Sequence, residues 1–346
     1  MPITLTVDQM GDLVKGTLRD LGENRFNQIA QSLQHYEVFG HWFKKGKVGY
    51  DSGIGIQMTL MNKLAGAARH VGFNATDETN IQDVVTQLQV DWRHLQTSWG
   101  VIYQETLMNR GERLIFNILK PRRAAAMIDL VEELESAAWS SPAAGDKVLP
   151  YGLPYYVVKN ATQGFNGGLP SGHTTVAGVN ITDTPTYQNW TDTYAAISKA
   201  DLVKKARKAH RKCRFKSPIT IQDYRSDMGE RYRVYVNEET LSEIEDIGEA
   251  QNESLGRDIA SMDGTMVFRN HPILWVPQLD SDTQNPWYMV DHSTFTPVCL
   301  NGDYLRESMA ERHPDQHNTF QIFLDLTYNY VCSDRRRNAV IYDSTA

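Results

Sequence analysis

The stretch 111–139, GERLIFNILKPRRAAAMIDLVEELESAAW, carries the longest helical pattern in the chain. Leu114, Ile115, Ile118, Leu119, Ile128, Val131, Leu134 and Ala138 recur on one apolar stripe. At 1.5 Å per residue such a helix spans about 40 Å, longer than most globular helices, so it reads as a strut. Pro121 lacks an amide hydrogen and should kink the helix or start a new one. Ser140, Ser141, Pro142, Ala143, Ala144 and Gly145 break the pattern, and the main lobe boundary is placed there.

On the N-terminal side of the strut, Val84, Leu88, Val90, Trp92, Val101 and Tyr103 give residues 83–107 a β-like character. Residues 40–76 differ in composition, with glycine at 40, 46, 49, 53, 55, 66 and 72 and lysine at 44, 45, 47 and 63. Within them Ile54, Ile56, Met58 and Leu60 alternate with Gly55, Gln57 and Thr59, the period of a strand with one apolar face. A second strand from Arg69 to Phe73 should complete a hairpin. Two-stranded hairpins are marginal alone, so the face needs a cover that another subunit could supply. Residues 6–43 read as two short amphipathic helices, one on Leu13, Val14, Leu18 and Leu21, the other on Phe26, Ile29, Ala30 and Leu33.

Beyond the break come many turn signals, then a helix over 198–215 that opens on Ser198 and Asp201 as a capping pair. Its apolar side is Leu202, Val203, Ala206, His210 and Cys213. Strands follow near Tyr232–Val236, 266–268, 273–276 and 288–290, with an acidic helix over 238–250 between the first and second. The C-terminus alternates strictly: Phe320, Ile322, Leu324, Leu326, Tyr328, Tyr330 and Cys332 share one face. Residues 334–337 read as a charged turn and 339–342 as the returning strand of a hairpin.

With 346 residues the chain exceeds the size at which single cores stop growing, roughly 250 to 300 residues, so at least two lobes are expected. Hydrophobic residues at 41% and charged residues at 22% are globular values. No apolar run approaches a membrane span, and the first residues lack a secretory pattern, which predicts a cytosolic site of synthesis. Cys213, Cys299 and Cys332 are too few and too scattered for a disulfide framework or a zinc site, and are expected as buried thiols. A net charge of −7 argues against a protein whose main task is neutralising phosphates.

No catalytic constellation survives inspection. Pro170, Ser171, Gly172 and His173 match the signature of histidine acid phosphatases, yet the Arg-Pro and Ser-Arg dipeptides of that family are missing. A turn followed by a strand over 174–179 is the ordinary reading. Residues 40–47 resemble a phosphate-binding loop with one residue too many between the glycines and Val48 in place of the metal-binding hydroxyl, so a flexible basic loop is expected instead. His313 and His317 lack a third ligand near them. Nine Lys or Arg residues between Lys199 and Lys216 form a cationic helix face, read as solvated or as a contact for an acidic segment such as residues 238–249, with nucleic acid as a third possibility.

The order of elements resembles the major capsid proteins of tailed bacteriophages with the Hong Kong 97-type fold. Supporting details are Trp139 before Pro142, the run 149–158 (LPYGLPYYVV), Gly164 to Gly167, Asn189 with Trp190, Phe268, Pro272, the stretch 276–280, and 325–338 with its three arginines. The resemblance covers essentially the whole chain and rests on the joint order of these features.

It implies an α+β fold: an N-terminal arm (1–39), an extended loop (40–76), a peripheral domain with the spine helix (77–145), an axial domain (146–315, with strands near 266–300 able to return to the peripheral domain), and C-terminal peripheral strands (316–346). It implies a non-enzymatic shell protein that forms hexamers and pentamers of an icosahedral lattice around double-stranded DNA, in the virion and, during assembly, in the host cytoplasm. Neither cofactor nor metal is expected. Expected partners are copies of itself, a separate scaffolding protein, a portal and a decoration protein, but no membrane. Candidate inter-subunit contacts are Lys44, Lys45, Lys47, Ile54, Ile56, Met58, Leu60, Arg69 and Phe73; in some relatives loop lysines are covalently joined to neighbours, for which Lys44, Lys45, Lys47 and Lys63 are available. An encapsulin-type compartment is the alternative, and a phosphatase on Ser171 and His173 the remote one.

Overall fold

A computed structural model describes residues 33, 35–44, 47–63, 68–70, 72, 83–108, 112–213, 231–252, 266–269, 271–316 and 318–345. The expected arm helices, apart from Leu33, lie outside the described residues, as do Lys45, Phe73 and His317. The strands in chain order are β1 (Gly49–Asp51), β2 (Gly55–Met61), β3 (Val85–Asp91), β4 (Arg93–Ile102), β5 (Gly164–Gly167), β6 (Asn189–Tyr194), β7 (Tyr232–Val236) and β8 (Val267–Phe268). They continue with β9 (His271–Trp275), β10 (Trp287–Asp291), β11 (Phe295–Leu300), β12 (Arg306–Glu307), β13 (Glu311–Arg312), β14 (Thr319–Cys332) and β15 (Ala339–Asp343). Among the described residues five α-helices join them: α1 (Tyr103–Met108), α2 (Glu112–Ala138), α3 (Leu153–Tyr156), α4 (Leu202–Cys213) and α5 (Glu238–Asn252).

The first sheet is built on β14, which pairs antiparallel with β4, β11, β12 and β13; β1 adds to β11 in parallel. Phe320, Ile322, Leu324, Leu326, Tyr328 and Tyr330 are buried, as the alternation predicts, because one face of the strand lies on the core. From Asn329 onward both faces of β14 are buried. The strut is real: α2 is one helix of 27 residues that runs through Pro121 without a break. Of the expected stripe, Leu134 and Ala138 are buried; the side chains of Leu114, Ile115, Ile118 and Leu119 lie outside the description. Ala126, Leu130, Leu134, Ala137 and Ala138 are buried while Ile128 and Val131 stay half-buried. The reason is close packing: small Ala126 lets the helix approach Trp99, Val101 and Ile322 of the sheet.

The second sheet has seven strands in the order β5-β6-β15-β10-β7-β9-β8. Here the expected C-terminal hairpin is corrected. β15 runs parallel to β6 and antiparallel to β10, so the last strand leaves the first sheet and closes the second. Of the strands between 266 and 300, β8, β9 and β10 stay in the second sheet and only β11 returns to the first. The chain therefore crosses between sheets twice at one seam, over 292–294 and 333–338.

One core cluster runs through that seam, from Trp42 and Leu134 to Tyr235, Tyr288, Phe295, Tyr330 and Val340. A second cluster fills the other face of the second sheet beneath α4 and α5. Among the described residues no helix is long and apolar enough to cross a membrane. All three cysteines are buried and free, and burial pushes their thiols up.

Candidate assembly surfaces

Two segments that the sequence assigned to protruding structure are anchored in the subunit. The first is Val38–Trp42, a π-helical turn with Val38, Trp42 and Phe43 buried. The Trp42 ring lies 5.2 Å from Trp139, 5.2 Å from Phe295 and 5.8 Å from Tyr330, in tilted or edge-on contacts. This corrects the flexible basic loop expected over 40–47 for its described part, 40–44: Trp42 and Phe43 are buried, while residues 45 and 46 lie outside the description. It also carries buried structure past the arm boundary expected at residue 39.

Around that plug sits a polar network. The Trp42 indole donates to the Tyr235 hydroxyl at 2.9 Å, and that hydroxyl lies 3.1 Å from Glu37 Oε1 and 2.7 Å from His292 Nε2. Arg233 Nη1 donates to Glu37 Oε1 at 2.6 Å. Lys47 Nζ meets His41 Nε2. Burial, with the nearby charges of His41, Arg233 and Lys47, holds His292 well below the usual imidazole range. From α2, Glu135 Oε1 accepts the Phe39 backbone N–H at 2.9 Å, while Glu135 Oε2 is buried with no hydrogen-bond donor among the described residues. Burial pushes this carboxyl up to about 7.

The second segment is the β2–β3 ribbon. β2 does alternate as expected, but its partner is β3, not residues 69–73, with Ile56 opposite Val90 and Met58 opposite Leu88. Gln87 and Gln89 on β3 obscured that pairing in the sequence. The apolar face of the ribbon is covered by its own chain: Ile56 is 2% exposed, and Met58 and Leu60 are half-buried against the same core. Gln89 N–H donates to Ala177 O at 2.9 Å, and Asn62 Nδ2 reaches Thr184 at 3.3 Å. Ile56 needs no neighbour to cover it, while Met58 and Leu60 keep part of their surface open.

What the ribbon leaves open lies at its ends. Ile54 is fully exposed, and Met61 (65%) faces Val85 (45%) across the last rung. Lys44, Lys63 and Arg69 are exposed, whereas Lys47 is half-buried. Met61 and Val85 were missed because only the register identifies them as a pair.

The remaining motifs are structural. His173 Nε2 lies 3.0 Å from Pro142 O and its ring meets Tyr155 edge-on at 5.1 Å. The expected strand over 174–179 is absent; only a single bridge joins Val176 and Val179. His313 is bonded within its own turn to Asp315 N, and no cluster that could hold a metal occurs among the described residues. The charged turn at 334–337 contains a buried Arg335, whose guanidinium donates to Tyr156 O, Tyr187 O, Gly167 O, Gly168 O and Asn189 Oδ1 between 2.6 and 3.1 Å. It staples four segments at the seam.

No family model and no curated protein matches the sequence. Solved structures do match. The capsid asymmetric unit of cyanophage A-1(L) aligns over 94% of this chain and 97% of that chain, with a TM-score of 0.63 at 12% identity. The capsid of the native GTA particle covers 93% and 94% respectively, TM-score 0.56, 10% identical. The capsid of Myoviridae phage XM1 covers 94% and 97%, TM-score 0.52, 11% identical. The chain has the Hong Kong 97-type capsid fold. The long helix α2 stands where that fold is expected to carry its spine helix.

Proposed function

We propose that this chain is a major capsid protein, a structural subunit that self-assembles into a closed shell around double-stranded DNA. The observation that carries the reading is whole-chain agreement with capsid subunits, at both 94% of this chain and 97% of its counterpart. Fold alone does not dictate function. The packing is compatible with the reading: the segments expected to reach neighbours are held to the subunit by the Trp42 plug and by the docked β2–β3 ribbon. The plug at Trp42 and the docked ribbon fix the described ends of both segments to the core, and in this reading many weak contacts between copies sum to a stable lattice. In this reading the copies form hexamers and pentamers, do no catalysis, and meet a scaffolding protein, a portal and a decoration protein; the product is a virion shell assembled in host cytoplasm.

Negative-stain microscopy of the purified chain tests this, with closed shells expected. Met61→Asp combined with Val85→Asp touches only the exposed end of the ribbon and should leave a folded subunit, by circular dichroism, that makes no shells. A wild-type chain that stays monomeric at high concentration, or normal shells from the double variant, would count against the reading. Shells filled with cargo protein in place of DNA would favour an encapsulin-type compartment.

A further inference from the structure

The second sheet carries two helices on the same face. Leu202, Ala206, Ala209 and Cys213 of α4 and Ile244 of α5 bury into one cluster with Trp190, Trp287, Ile273 and Ile341. They lie toward opposite edges: α4 packs on β6 and β15, α5 on β9.

Their charges are opposite and matched. α4 contains six Lys or Arg residues and no Asp or Glu; α5 contains six Asp or Glu residues and no Lys or Arg. Helix dipoles account for part of this, since Arg211 and Lys212 close α4 and Glu238 and Glu239 open α5. They do not account for Lys204 and Arg207 in the first half of α4, nor for Glu245 and Asp246 in the middle of α5. Spacing within each helix is unfavourable: Lys204 with Lys208, Arg207 with Arg211, and Glu239 with Glu243 are like charges four apart. Little in the subunit relieves it. Lys205 pairs with Asp201 and Lys208 bonds Gln163, but Lys204, Arg207, Arg211 and Lys212 are exposed and make no ion pair among the described residues. The same holds for Glu243, Glu245 and Asp246.

We propose that the cationic face of α4 docks on the acidic face of α5 in a second copy of this chain. The inference rests on the shell reading and specifies one lateral contact within it. Two different patches at opposite edges of one sheet make a head-to-tail interface, which closes into a ring when the rotation per copy divides a full turn. Each exposed pair contributes little, about 0 to 1 kcal/mol. Their joint effect is on orientation: a copy docked backwards would set six cations against six cations.

The test uses the full chain and surface charge reversals. Arg207→Glu with Arg211→Glu, and separately Glu243→Lys with Asp246→Lys, should each keep the wild-type circular dichroism spectrum and melting behaviour while lowering shell yield at least tenfold. Combining all four should restore it. Wild-type shell yield from either double variant overturns the contact and leaves the shell reading standing. So does failure of the combined variant to recover. Full shell yield with reduced DNA content in the α4 variant would assign that face to nucleic acid and overturn the contact as well. A wild-type chain that forms no shells removes the reading and the inference together.

Discussion

Glu135 of the spine helix accepts the backbone N–H of Phe39, 96 residues away, and so ties the strut to the aromatic plug. The carboxyl is buried and titrates near 7 in the fold, against an ordinary 4.5. A raised value means that the folded state holds a proton the unfolded chain has lost. The resulting stability is complete below pH 4.5 and disappears as pH rises through 7. The shift corresponds to about 3 kcal/mol. Glu135→Gln keeps the acceptor for Phe39 and removes the charge. It should raise the denaturation midpoint at pH 8 and match the wild type at pH 5, as urea titrations at the two pH values would show.

His292 acts in the opposite direction. Its imidazole is held neutral by burial and by the charges of His41, Arg233 and Lys47, with the Tyr235 hydroxyl 2.7 Å from its Nε2. The unfolded chain takes up a proton near 6.5 that the folded chain refuses. Stability is therefore present above pH 6.5 and falls progressively below it. His292→Gln should flatten the acid side of the stability profile, at some cost at pH 8 from altered bonding to Tyr235. An unchanged acid limb in thermal melts between pH 6.5 and 5 would count against this account.

Among the described residues Arg335 has no carboxylate partner; five oxygens from three segments take its place. Arg335→Met would leave those acceptors buried and unpaired, each costing about 1 to 3 kcal/mol. Loss of soluble protein is expected. Arg335→Lys offers three donors without the planar fork and should fold with a destabilisation of about 3 kcal/mol, measured by urea denaturation.

Gly152 lies against the end of the spine helix. A Cβ there would fall 2.2 Å from Ser140 O, 2.6 Å from Ala138 O and 2.8 Å from Ala137 O. All three are backbone atoms and cannot swing away. Gly152→Ala should cost about 2 to 3 kcal/mol and lower the melting temperature by several degrees, whereas Gly145→Asn, in an open turn with positive φ, should be nearly silent.

What the sequence made legible was local and periodic. The strand over Thr319–Cys332 and the helix over Glu112–Ala138 declared themselves because burial of one face imposes a period that composition can carry. Pairing across distance was not legible. β15 joins β6 in parallel, an arrangement with no turn signature, and β2 pairs with a strand whose alternate residues include glutamines. The assembly residues split the same way. Ile56 looked available for a neighbour because its alternation says only that one side is apolar, not who covers it. Arg335 was legible only as part of a charged turn because four of its five acceptors are backbone carbonyls, to which every residue type contributes alike.

The plug at Val38–Trp42 and the ribbon share one core cluster but take their polar anchors from different segments, Glu135 and Tyr235 for the plug. Tension applied to the preceding residues is thus delivered to the seam between the two sheets, with the Trp42 ring as the latch. The ribbon keeps its own footing beside Ala177 and Thr184. Strain imposed on one reaching element need not slacken the other.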